Sequence, residues 1–128
     1  MAIRTELNLR IPNSPGALAA VCRLLADERV NIIAMTLEAS GQLRLVVDNP
    51  VRGAGVLRAQ HHEVTERLVV VAAVASGPGA LAPVLTIAAE AGVNVDYAYG
   101  STPPEMTTGT AIVLGVEDAA RAAAASGI

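Results

Sequence analysis

The sequence predicts an α+β protein made of two copies of one small unit, each running strand, helix, strand, strand, helix. Three observations predict it. A gap-free repeat relates Asn13–Ile32 to Ser76–Val95, so that each copy occupies about half the chain. In both copies apolar residues first follow a strand pattern and then recur at the helical period. Gly, Pro, Asn and Ser cluster between these stretches, as turns require.

The repeat reads N-S-P-G-A-L-A-A-V-C-R-L-L-A-D-E-R-V-N-I in the first copy and S-G-P-G-A-L-A-P-V-L-T-I-A-A-E-A-G-V-N-V in the second. Ile3–Ile11 alternates, with Ile3, Thr5, Leu7, Leu9 and Ile11 on one face and Arg4, Glu6, Asn8 and Arg10 on the other. This is the pattern of a half-buried strand. Pro15 suits the first helical position, with Ser14 as its cap. Leu18, Val21, Cys22 and Leu25 then share a helix face. Val30 opens a second strand with Ile33, Met35 and Leu37 on one side. Ser40-Gly41 marks a hairpin, and Leu43, Leu45 and Val47 continue as the third strand. Asn49-Pro50 caps a second helix to about Gln60, weakened by Gly53 and Gly55. Glu63–Arg67 reads as a fourth strand.

The second copy repeats the order. Leu68–Ala75 is apolar throughout, which predicts a strand covered on both faces. Pro78–Ala91 is the helix, with Leu81, Val84, Leu85 and Ala88 inward. Val93–Tyr99 and Thr110–Val116 are strands, joined by a longer connection, Gly100–Gly109, that contains Pro103-Pro104. Glu117-Asp118 opens an alanine-rich helix ending near Gly127. The chain stops at Ile128, where a last strand of the second copy would begin, so that strand is expected to be missing or incomplete. Right-handed crossovers turn this order into antiparallel sheets with the helices on one face, the ferredoxin-like arrangement. The predicted modules are residues 1–66 and 67–128.

Composition excludes several function classes. Of 128 residues, 52% are hydrophobic, yet there is no Phe or Trp and only two Tyr. The interior must therefore be filled by Val, Leu, Ile and Ala. The net charge of −3 and the scattered Arg, with no Lys in the chain, give no basic face for nucleic acid. No stretch has the length of a bilayer span, and the N-terminus lacks the apolar core of a secretory signal. One cysteine forms no internal disulfide. A soluble, cytoplasmic protein is the expectation.

The segment N-S-P-G-A-L…V-N-I, its partner S-G-P-G-A-L…V-N-V and D-Y-A-Y at Asp96–Tyr99 resemble the ACT domain, a small ligand-sensing module associated with amino-acid-metabolic enzymes. The resemblance is to stand-alone proteins made of two ACT domains in tandem and covers nearly the whole chain. It implies a βαββαβ fold for each module, side-by-side pairing of sheets, and a ligand held where the first loop of one module meets the second strand of its neighbour. Carried over residue by residue, the ligand-facing positions are Asn13, Ser14, Gly16, Ala17 and Leu18 with Asn31 and Ile32. The second set is Ser76, Gly77, Gly79, Ala80 and Leu81 with Asn94 and Val95. The chain departs from the family in having Asn13 and Ser76 where many such loops carry an acidic residue, and Arg29 where Gly is usual.

The chemistry of those residues suits a zwitterion. A helix N-terminus presents unpaired N–H groups and about half a positive charge, which favours a carboxylate. Gly16 and Gly79 allow close backbone approach. Asn31 and Asn94 can both donate and accept. The plainer alternative is that Pro-Gly only starts a helix and Asn only caps a turn; two copies of the whole pattern favour a site. His61-His62 lacks companions for a metal, Cys22 sits on an apolar helix face, and Tyr97 and Tyr99 share one strand face as packing or pocket lining. No nucleophile, base and orienting group suggest themselves together, and nothing requires a cofactor. The leading function is a regulatory sensor of an amino acid or related carboxylate. It is expected to form a homodimer and to modulate an enzyme of amino-acid metabolism. A small enzyme on the same scaffold and a structural subunit with vestigial sites are the alternatives.

Overall fold

The computed structural model describes residues 1–101 and 110–127. The elements run β1 (Ala2–Arg10), α1 (Ala17–Asp27), β2 (Ile32–Leu37), β3 (Gln42–Val47), α2 (Pro50–Ala59), β4 (Thr65–Val74), α3 (Ala82–Glu90), β5 (Val95–Ser101), β6 (Thr110–Val116) and α4 (Ala119–Ala125). Pro103-Pro104 and the rest of the expected long connection after Ser101 lie outside the described residues.

The chain divides into two compact units, Thr5–Arg67 and Leu68–Ile128 together with Met1–Arg4. The first has the strand order β2-β3-β1 and the second β5-β6-β4, with antiparallel pairing in both. Element order and strand neighbours therefore repeat between the units. Two boundaries differ from expectation. Glu63–Arg67 and Leu68–Ala75 were expected as separate strands but merge into the single β4, because no turn residue separates Arg67 from Leu68. Met1–Arg4 belong to the second unit, where Met1 packs on the core. Ile3 accordingly does not join Leu7 and Leu9 in the first core and stays 44% exposed. Among the described residues no strand follows α4, and the second unit takes a segment from the beginning of the chain instead.

The first core is aliphatic. Leu7, Leu9 and Ile11 from β1 and its end meet Leu43, Leu45 and Val47 from β3 under Val21 and Leu25 of α1 and Ala54 and Leu57 of α2. Both helices thus lie on one sheet face. The alternation expected for β1 holds from Leu7 onward, but Glu6 on the opposite face is also fully buried and accepts from Asn8 Nδ2 at 2.9 Å. Gly53 lets α2 lie close to the sheet. A Cβ there would stand 3.2 Å from both Leu7 and Val47 side chains, so this glycine sets helix–sheet spacing as well as lowering helix propensity.

The second core collects Val70, Ala72 and Val74 of β4, Ile112, Leu114 and Val116 of β6, Val93, and Ala119 and Ala122 of α4. The expectation that β4 is covered on both faces holds at Val69 and Val70 but not at Leu68, which is 56% exposed. Of the four α3 residues expected inward, Ala88 is buried and Val84 packs on the core. Leu81 and Leu85 remain 44% and 38% exposed, because the strand residues on that side, Ala98 and Gly100, are too small to meet them.

A bulge recurs in the second strand of each unit. The register shifts between Ile32 and Ala34 in β2 and between Val95 and Tyr97 in β5. The extra residue moves Ile32 onto the core face in place of Ile33, correcting the expected grouping of Ile33 with Met35. In β5 the shift puts Val95 on the core and turns Tyr97 and Tyr99 to the other face, opposite Gly115 and Val113. The two rings stack with centroids 6.2 Å apart, and Tyr97 covers the bare backbone of Gly115.

Helix ends follow one rule. Val30 N–H bonds to Leu25 O at 2.9 Å and Arg29 N–H to Ala26 O at 3.0 Å; Val93 N–H to Ala88 O and Gly92 N–H to Ala89 O match them at 2.9 and 3.0 Å. These are Schellman closures, which put the residue after the cap in the left-handed region. That residue is Gly92 (φ 70°) in the second unit but Arg29 (φ 57°) in the first. His61 (φ 68°) fills the same role after α2. A side chain in this region costs about 1–2 kcal/mol, partly offset by the greater unfolded-state entropy of glycine. Arg29→Gly is expected to raise stability by about 1 kcal/mol, read as a higher urea midpoint at unchanged slope. Gly53→Val is expected to lower it by about 1–3 kcal/mol through overpacking in the same assay.

Candidate functional site

The two P-G-A-L loops form the same turn, and it is not the one expected. Pro15 does not begin α1, and Pro78 lies four residues ahead of α3, which starts at Ala82. Instead, Ala17 N–H donates to Ser14 O and Ala80 N–H to Gly77 O, both at 3.3 Å. The third turn residues, Gly16 (φ 84°) and Gly79 (φ 76°), are left-handed. Pro followed by a left-handed Gly is the signature of a type II turn. The repeated glycine is needed for its φ, and Ser14 contributes its carbonyl rather than a side-chain cap.

The helices that follow have no side-chain cap. The other two do: Asn49 Oδ1 accepts from Arg52 N–H at 3.1 Å before α2, and Asp118 Oδ1 from Arg121 N–H at 3.0 Å before α4. Each unit thus closes one helix start with its own side chain and leaves the other to backbone N–H groups.

In the first set, Asn13, Ser14 and Gly16 are exposed, whereas Ala17 and Leu18 are half-buried and pack on the core. In the second, Ser76, Gly77 and Gly79 are exposed, Ala80 is half-buried and Leu81 lies at the surface. Asn31 and Asn94 are exposed at the starts of β2 and β5, and Ile32 and Val95 behind them are half-buried.

The asparagines sit beside carboxylates that sequence reading overlooked. Asn31 N–H donates to Asp48 Oδ1 at 3.0 Å, and Asn94 N–H to Glu117 Oε1 at 3.1 Å. Asn94 Nδ2 also donates to Asp96 Oδ1 at 2.9 Å. The signal was present: in both copies an acidic residue directly precedes the capping residue of the next helix, as Asp48-Asn49 and Glu117-Asp118. These carboxylates bring negative charge beside the two asparagines, although the loops themselves lack the acidic residue at Asn13 and Ser76.

Loop and asparagine of one unit do not meet. β1 and β2 both run antiparallel to β3, so the exit of β1 and the entry of β2 lie at opposite ends. Arg10 pairs with Gln42 and Ile32 with Val47, and this length of β3 corresponds to about 17 Å. In the second unit Val74 pairs with Thr110 and Val95 with Val116, about 20 Å along β6. A single amino acid does not bridge either gap. Among the described residues no group of three His, Cys, Asp or Glu gathers as metal ligands, and no helix is long and apolar enough to cross a membrane.

The turn assignment is testable. Gly16→Ala and Gly79→Ala each place a Cβ in open space but in the left-handed region. Each is expected to cost about 1–2 kcal/mol in urea unfolding.

Residues 5–66 match the ACT domain family model, nearly the span of the first compact unit. No curated protein sequence matches the chain. Among solved structures, protein BT0572 from Bacteroides thetaiotaomicron is 25% identical with a TM-score of 0.81, over 96% of this chain and 85% of that one. The regulatory subunit of aspartate kinase from Thermus thermophilus, in ligand-free form, shares the fold at 20% identity and TM-score 0.67, over 97% of this chain and 91% of that one. Aspartokinase III of E. coli, solved in complex with lysine and aspartate, gives 19% and 0.56 over 94% of this chain and 30% of that one. The first unit is thus matched as an ACT domain by sequence, and the second repeats its elements in the same order.

Proposed function

We propose that this protein is a regulatory sensor of an amino acid or a related small carboxylate, with no catalytic activity of its own. The observation that carries the reading is the contrast between helix starts. α2 and α4 are closed by Asn49 and Asp118, whereas α1 and α3, each following a Pro-Gly type II turn, have no side-chain cap. A ligand carboxylate at such a start supplies the missing acceptor and meets the positive end of the helix dipole. The ACT match of residues 5–66 supports the reading, since it covers the first of these loops.

The separation of loop and asparagine within a unit argues for sites shared between modules. In the proposed arrangement, Asn13, Ser14, Gly16, Ala17 and Leu18 face Asn94 and Val95 of a neighbouring module across a homodimer. Ser76, Gly77, Gly79, Ala80 and Leu81 likewise face Asn31 and Ile32. The carboxylates of Asp48 and Glu117, beside the asparagines, suit the ligand ammonium group. Binding would alter docking to a cytoplasmic enzyme of amino-acid metabolism. The regulatory subunit of aspartate kinase, which shares the fold, is the precedent for that role.

A thermal-shift screen against the twenty amino acids is expected to raise the melting temperature with at least one of them, because a ligand that binds only the native state stabilises it. With that ligand, Asn31→Ala and Asn94→Ala are expected to weaken binding several-fold to about a hundredfold in calorimetric titration, with the fold retained by circular dichroism. Unchanged affinity in both single variants and the double variant would place the ligand elsewhere.

A further inference from the structure

We propose that the second unit carries an aliphatic side-chain pocket, in the gap between α3 and strands β5 and β6, that selects an apolar amino acid such as leucine or methionine. The inference rests on the sensing function proposed above and names its ligand class.

The gap is a cavity of about 410 Å³, bounded by Leu81 and Leu85 on the helix side and by Ala98, Gly100 and Ile112 on the strands. That volume falls within the range of about 300–1,000 Å³ typical of small-molecule sites. Its origin is legible in the repeat. The alignment that carries Asn31 onto Asn94 carries Met35 onto Ala98 and Leu37 onto Gly100. In the first unit Met35 and Leu18 pack on the core, while Leu37 stays 41% exposed. In the second, Leu81 and Leu85 stay 44% and 38% exposed. The backbone is regular here, since Ala98 pairs with Leu114 and Gly100 with Ile112 in register. The gap therefore comes from truncated side chains and not from a break in the strand.

Two features point the gap at an amino acid. Leu81 is both a wall of the cavity and the N-cap residue of α3, a start with no side-chain cap. A carboxylate held at that start has its side chain at the cavity mouth. The lining is mostly apolar, with Tyr99 and Thr110 as its polar residues. The Thr110 hydroxyl donates to the Ser101 carbonyl, so an apolar side chain is the better match and a charged group entering would gain few partners for its desolvation. The two units differ at this place: in the first Met35 and Leu18 pack on the core, and in the second Ala98 and Gly100 line a cavity.

Calorimetric titration of the full chain with leucine, methionine, lysine and threonine tests this. Leucine and methionine are expected to bind at least tenfold more tightly than lysine or threonine. Ala98→Met transplants the first unit's residue into the gap and is expected to weaken leucine binding at least tenfold while leaving the melting temperature equal or higher. Gly100→Leu is expected to act likewise, and Met35→Ala in the first unit to leave leucine affinity unchanged. Should Ala98→Met fail to fold by circular dichroism, Ala98→Val carries the test. Wild-type protein that binds lysine or threonine but not leucine overturns the pocket and leaves the sensing function standing. Binding of none of the twenty amino acids overturns both. Leucine binding that is equal in wild type, Ala98→Met and Gly100→Leu overturns the pocket alone.

Discussion

An interior with no phenylalanine or tryptophan can be filled only by bringing backbones close together, and this constraint runs through the whole structure. Leucine and valine set much of the distance between helix and sheet, and small residues let the layers approach at particular positions. Gly53 lies where a Cβ would press on Leu7 and Val47. α4 packs through Ala119 and Ala122. The same economy leaves little tolerance: where Ala98 and Gly100 replace Met35 and Leu37 of the other unit, α3 keeps its place but its leucines lose their floor.

Helix termini divide into two kinds, and the division separates structure from proposed function. At their C-terminal ends all four described helices stop on a left-handed residue, Arg29, His61, Gly92 or Gly127. Two of these are not glycine, so hydrogen-bond closure at the stop outweighs the local strain. At their N-terminal ends the helices differ. Those that follow β3 and β6 carry Asn or Asp caps; those that follow the Pro-Gly turns carry none. A capped start is self-sufficient. An uncapped one, with its dipole and unpaired donors, is where an outside anion has most to offer.

The same topology that makes each unit compact keeps its loop and its asparagine apart. Parallel placement of β1 and β2 on either side of β3 puts the exit of one and the entry of the other at opposite ends. Within one unit, therefore, the loop and the asparagine do not hold the same small molecule.

The sequence by itself determined the order of the helices and of most strands, the repeat and most of the first core. Leu7, Leu9, Leu43, Leu45, Val21 and Leu25 were readable because strand and helix periods are local properties that a single chain displays. It also marked the loops and asparagines of the candidate site, whose recurrence in two copies stood out from chance. Tertiary structure decided what depends on partners distant in the chain. Pro15-Gly16 is a separate matter: it became a turn rather than a helix start through a local bond, from Ala17 N–H to Ser14 O three residues back. Ile33 gave its core position to Ile32 because a bulge opposite Val46 and Val47 shifts the alternation. Asp48 and Glu117 became neighbours of the asparagines only when β3 and β6 ran back beside β2 and β5. Met1–Arg4 joined the second unit, an assignment that no local pattern carries, since strand periodicity tells which residues face a core but not whose core it is.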